Sequence, residues 1–260
     1  MASGAFLIRS SGDFALAYSI PDYLVSIGLE DTRLRYKWDD WRASLDFTYD
    51  SSDIVARLAG VSMHARLAVG IGIYEWIVWR FRIVSQDPVP LQIAEAAWCA
   101  NVDRKYMEYV ELPRSEWLGI IRGPLWCGIT WLVPMVFSGD NDPEECESGL
   151  AYLPRLAMHV VPKPELFEAW MDKAIDRVIR FHSRPPDNPF EDLFSEHEEE
   201  RRGPLVAREV LDPEFNYSPE MDRRLISNFL RGCDYQRNRF LHSPEQMLND
   251  GFSGTPYVLD

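Results

Sequence analysis

The chain has 260 residues and a formal net charge of −14, from 41 acidic and 27 basic side chains. That length is enough to bury a substantial core. The acidic balance argues against broad nucleic-acid binding, because phosphate backbones select basic surfaces, and it suits a basic protein partner drawn in by charge.

The first fifty residues read as a small β-containing part. Ser10, Ser11, Gly12 and Asp13 separate two short apolar runs as a hairpin turn would. Leu34, Tyr36 and Trp38, then Leu45, Phe47 and Tyr49, alternate with polar residues as half-buried strands do. No basic region followed by an apolar block opens the chain, so no signal peptide is expected. Pro21 opens a short helix ending near Gly28. From Ser51 a long helical stretch begins, and between Leu67 and Trp79 its only charge is Glu75. A helix apolar all round sits inside a bundle. After Pro88 and Pro90 the segment 91–102 reads as another buried helix, with Glu95 as its charge.

The run from Trp117 to Phe137 carries a single charge, Arg122. About 20 apolar residues span a bilayer. Gly123–Pro124 interrupts the run, however, because proline is poorly tolerated inside a helix. The expectation is two short helices buried among others, with Trp117, Trp126 and Trp131 filling the core and no membrane span. Glu75, Glu95 and Arg122 each stand in apolar sequence. An unpaired buried charge is costly, so the three are expected to meet in one buried polar cluster. The alternatives are a structural ion pair, residues at helix ends that reach water, or a pocket where carboxylates do acid–base work.

Residues 164–182 give the clearest helix. Leu166, Phe167, Trp170, Met171, Ala174, Ile175, Val178 and Ile179 keep i, i+3, i+4 spacing, Pro164 fits the first position, and Asp176–Arg180 is spaced for an ion pair. Pro185, Pro186 and Pro189 among acids then mark a linker. Ser218–Pro219 to Gly232 and Ser243–Pro244 to Gly251 repeat one grammar of cap, first-turn proline and glycine stop. The organisation is therefore a mainly α multi-helix domain over 1–184 with short strands in 1–50, an acidic linker over 185–217, and a helical arm over 218–260 that packs back. The four cysteines form no Cys-x-x-Cys pair and read as buried free thiols, which suits the cytoplasm.

Five patterns bear on chemistry. Arg237, Asn238 and His242, in Arg-Asn-Arg-Phe-Leu-His, match the R-N-x-x-x-H motif and resemble HEPN ribonucleases over these six residues. The resemblance implies a metal-independent ribonuclease with both catalytic residues on one helix near a dimer axis, where His242 handles a proton and Arg237 stabilises the phosphate. Arg177 and His182 repeat the spacing on an amphipathic helix, where chance explains it. Asp140 and Asp142 lie at alternate positions as Ca²⁺ ligands do, although the glycine and glutamate of an EF-hand are missing; a solvated loop explains them as well. The histidines and cysteines show no zinc spacing, and no cofactor is implied. Phe190, Leu193 and Phe194, set among acids, suit a short docking motif for a partner's groove. Two readings stay open: a non-enzymatic binding or regulatory protein, of the immunity or antagonist kind, facing a basic protein partner; or the ribonuclease.

Overall fold

A nineteen-residue helix with every residue buried sits at the centre. In the computed structural model, which describes residues 18–27, 31–138, 143–184 and 202–259, this helix is α2, Met63–Phe81. Around it stand α1 (Ser52–Leu58), α3 (Val89–Ala100), α4 (Gly119–Ser138), α5 (Pro143–Val160) and α6 (Pro164–His182), followed by α7 (Asp222–Gly232) and α8 (Pro244–Asn249). The domain is mainly α, as the periodicity implies. Helices α4 and α5 pack on each other and on α2, and α3 and α6 cover other sides of α2.

The long helix expected from Ser51 divides into α1 and α2. The end of α6 pins the break: Ser62 N donates to His182 O at 3.0 Å, and Arg184 N donates to Gly60 O at 2.9 Å. Arg66 reaches back and donates Nε to Leu58 O (2.8 Å) and Nη2 to Ala59 O, which satisfies carbonyls left open at the α1 C-terminus. Gly203 crosses this junction at φ +68°, where a Cβ would stand 2.5 Å from that of Ser62. Position and backbone both require glycine there.

The expected strands are not formed. Among the described residues there are only two isolated β-bridges, Val61 to Ser183 and Met107 to Leu241. Residues 31–50 run instead as a largely extended strap with one 3-10 turn, Ala43–Asp46. The alternation survives in part: Leu34, Tyr36, Trp38, Phe47 and Tyr49 pack on the bundle, whereas Leu45 faces outward, 69% exposed. No neighbouring strand takes the strap's carbonyls, so side chains do. Arg80 Nη1 donates to Asp31 O and Nη2 to Arg33 O, both at 2.8 Å; Arg155 Nη2 donates to Phe47 O at 2.8 Å; and His159 Nε2 bonds Lys37 O at 2.8 Å. The hairpin expected near Ser10–Asp13 lies outside the described residues.

The apolar run forms one helix, α4, rather than two. Pro124 and Pro134 both lie inside it. Pro124 cannot bond the carbonyl of Ile120, four residues back, and the hydroxyl of Tyr36 donates to that oxygen instead. Gly123 leaves room for the strap: a Cβ there would lie 2.2 Å from Trp38 Nε1. By length and composition α4 is apolar enough to cross a membrane, and half of its apolar window is buried inside the protein. Trp117 is buried. Trp126 and Trp131 are half-buried, with Trp131 stacked on Tyr152 at 4.1 Å.

Helix α6 buries Phe167, Trp170, Met171, Ala174, Ile175 and Val178, the face its spacing marks. Asp176 pairs with Arg57 on α1 at 2.9 Å rather than with Arg180. The linker assigned to 185–217 does not extend that far. Val206, Ala207, Val210 and Leu211 are buried, and a 3-10 turn, Arg208–Leu211, packs on α6 and α2. On α8 the Ser243–Gln246 capping box is complete.

A buried chain of polar groups ties α6 to α7. His182 Nε2 lies 2.6 Å from the Tyr217 hydroxyl, which donates to Asp222 at 2.7 Å, while Ala207 N donates to Asp222 Oδ1 at 2.8 Å. Burial pulls His182 down to about 4 and pushes Asp222 up to about 6. The His182 contribution to stability is complete above pH 6.5 and is lost as pH falls towards 4. The Asp222 contribution is complete below pH 3.8 and is lost as pH rises towards 6. Between pH 4 and 6.5 the two oppose. Relative to the unmodified chain, Asp222→Asn is expected to lose stability on acidification across this window, and His182→Gln to gain it, each by roughly 2–3 kcal/mol. Urea denaturation at stepped pH checks both; parallel curves for all three proteins would contradict the opposition.

Candidate functional site

Where the strap crosses the ends of α2 and α5, a cleft of about 640 Å³ opens. Arg33, Arg35, Arg80 and Arg155 line it with His159, Tyr36, Tyr49, Met158 and Asp50. Each cation has a structural origin. Arg80 lies in the last turn of α2 and is 4% exposed; its Nε also donates to Val160 O at 3.2 Å. Arg155 and His159 lie four residues apart on α5, hence on one face. Arg33 and Arg35 lie on the strap, and both pair with Asp31, at 2.8 and 3.6 Å. The Arg33 hydrogen bonds hold the Asp31 carboxyl far below its ordinary range.

Four guanidiniums thus meet two carboxylates, Asp31 and Asp50, in a chain of net charge −14. Arg80 and Arg155 are not charge-neutralised by their partners. Carbonyls occupy their hydrogen bonds without cancelling their charge, Arg155 Nε has no hydrogen-bond partner among the described residues, and burial draws the Arg80 guanidinium below its ordinary value. Guanidiniums present a planar fork of donors that matches carboxylate and phosphate oxygens. The arrangement can hold an oxyanion of more than one charge.

The charges singled out from sequence fall elsewhere. Glu75, 2% exposed, accepts from Arg208 through Nε (3.2 Å) and Nη2, and from the Tyr23 hydroxyl. Arg208, not Arg122, is its cation. Arg122 lies in the first turn of α4, on its outer side, with half its side chain exposed; it donates to Asp87 at 3.2 Å and to Glu116 O at 3.0 Å. Glu75 and Glu95 do line one cavity, of about 250 Å³, with Arg208, Trp79 and Trp98.

The Arg237–His242 segment is not helical, so the single helix implied by the ribonuclease resemblance is missing. Asn238 is fully buried. It donates to Gln92 O and Glu95 Oε2, each at 2.8 Å, and fastens its turn to α3. His242 is held by Lys105 O and Glu108, each at 3.1 Å, while Arg237 is exposed. Arg177 donates to the carbonyls of Val210, Pro213 and Phe215, and His182 belongs to the buried chain above. Asp140 and Asp142, and Phe190, Leu193 and Phe194, lie outside the described residues. Among the described residues no three His, Cys, Asp or Glu side chains are grouped to hold a metal.

Sequence reading missed Arg80, Arg155 and Arg208. Arg80 was the discoverable one, because a charge directly after the apolar run of α2 is costly unless it faces a partner or a cavity. No family model, curated protein or solved structure matches this chain.

Proposed function

We propose that this chain is a non-enzymatic binding protein whose ligand is a multiply charged anion held in the arginine cleft. One observation carries the reading: an acidic chain gathers four guanidiniums around a cleft, and two of them are met mainly by uncharged carbonyls. Tyr36, Tyr49 and Met158 give the cleft apolar walls, so the ligand is an anionic small molecule with an organic body. The outer surface, acidic as the net charge requires, suits the basic protein partner expected from sequence, and the cleft takes the opposite charge.

Calorimetric titration with pyrophosphate and with citrate tests this. Arg35 is exposed and hydrogen-bonds no carbonyl of the strap, so Arg35→Glu leaves the fold in place. The expected result is saturable binding of at least one anion, weakened about ten-fold or more by Arg35→Glu and by added salt. Absence of binding, or binding unchanged by Arg35→Glu, would overturn the reading.

A further inference from the structure

The second charged cavity has the opposite preference. Its wall holds an arginine and two carboxyl side chains, Arg208, Glu75 and Glu95. Arg208 donates twice to Glu75, so those two charges cancel within the wall. Glu95 is left over. It accepts from Asn238 at 2.8 Å and from the Tyr18 hydroxyl, both neutral, and has no ion pair among the described residues. Burial pushes its carboxyl up, as expected of a carboxylate without a counter-ion. Trp79, Trp98, Leu91 and Phe229 complete the walls.

A further lobe of about 320 Å³ shares Trp98, Arg208, Asn228 and Phe229 with this cavity. It continues over Val102, Val206, Leu225 and Ile226, with Glu209 also in its wall, so a mainly apolar passage leads away from Glu95. An ammonium group entering this groove gains the Glu95 charge, and Arg208 over the Trp98 ring at 5.9 Å shows that these aromatic walls accept a cation. An aliphatic body behind it buries surface against the second lobe.

We infer that the groove between α3 and α7 is a binding site for an aliphatic amine, with its ammonium on Glu95 and its hydrocarbon body along Trp98, Phe229 and Leu225. The site is independent of the arginine cleft. Glu75 and Arg80 stand five residues apart on α2, about 140° around the helix, so the central helix separates the two.

Hexylammonium and hexanol, titrated separately and followed by Trp fluorescence and calorimetry, test the site. The charged probe is expected to bind about ten-fold or more tightly than the alcohol. Glu95→Gln keeps an oxygen for Asn238 and is expected to bring the ammonium down to the alcohol's affinity. Asn228→Arg, exposed on the rim of both lobes, places a cation at the mouth and is expected to abolish ammonium binding without touching the core. Equal affinity for the two probes, absence of binding by hexylammonium, or ammonium binding unchanged by folded Glu95→Gln and Asn228→Arg would overturn the assignment.

Discussion

Replacing Arg208 with methionine is expected to cost about 3–5 kcal/mol of folding stability, the range for removing one partner of a buried ion pair. Glu75 is the reason. It projects from the middle of a helix buried on every side, and after the change the Tyr23 hydroxyl is its one remaining hydrogen-bond donor among the described residues. A lone carboxylate in that setting must protonate or draw in water. The double change Glu75→Leu with Arg208→Met removes both charges and is expected to recover most of the loss, since a buried pair contributes little over an apolar pair of similar volume. Chemical denaturation of the three variants reads the result. A single Arg208→Met variant within 1 kcal/mol of the unmodified chain would show that Glu75 is not held as described.

Trp170→Ala is expected to be as damaging, at about 3–5 kcal/mol. The indole is buried between two helices and a turn. It stacks on Tyr23 at 5.4 Å, meets Trp76 at 5.4 Å and Phe167 at 5.9 Å, and donates Nε1 to Leu211 O at 2.8 Å. Truncation leaves a cavity where α6 meets α2 and strips the Leu211 carbonyl of its donor. Trp170→Phe restores ring volume but not the donor, so it is expected to lose less, about 1–3 kcal/mol from the unpaired carbonyl. Equal losses for Ala and Phe would contradict a packing origin. Tyr23 ties the two results together, because the ring that stacks on Trp170 also donates to Glu75.

Local rules account for what could be foreseen. The face of α6 follows from its own spacing, the buried state of α2 from its lack of charge, and the α8 cap from Ser243 and Gln246 alone. What escaped depends on distant partners. Pro124 looks like a break until Tyr36, 84 residues before Ile120, supplies that carbonyl with the missing donor. Leu34, Tyr36 and Trp38 alternate like a strand, yet a strand needs a ladder, and here arginines take the carbonyls instead. That Glu75 needs a cation was legible; that the cation stands 133 residues away was not. Arg122 was the wrong choice because the apolar composition of its run says nothing about which way the fourth residue of α4 points. The arginine cleft was hidden for the same reason: its cations come from the strap, the end of α2 and the middle of α5, and no stretch of sequence brings them together.

Arginine side-chain ¹H–¹⁵N spectra recorded during a pyrophosphate titration show whether the cleft holds an anion. The Nε–H signals of Arg35, Arg80 and Arg155 are expected to shift together and saturate with one dissociation constant. Arg57, bound to Asp172 and Asp176 on the outer side of α1 and α6, stays in place. Cleft signals that do not move, or that move no more than Arg57, would contradict this expectation.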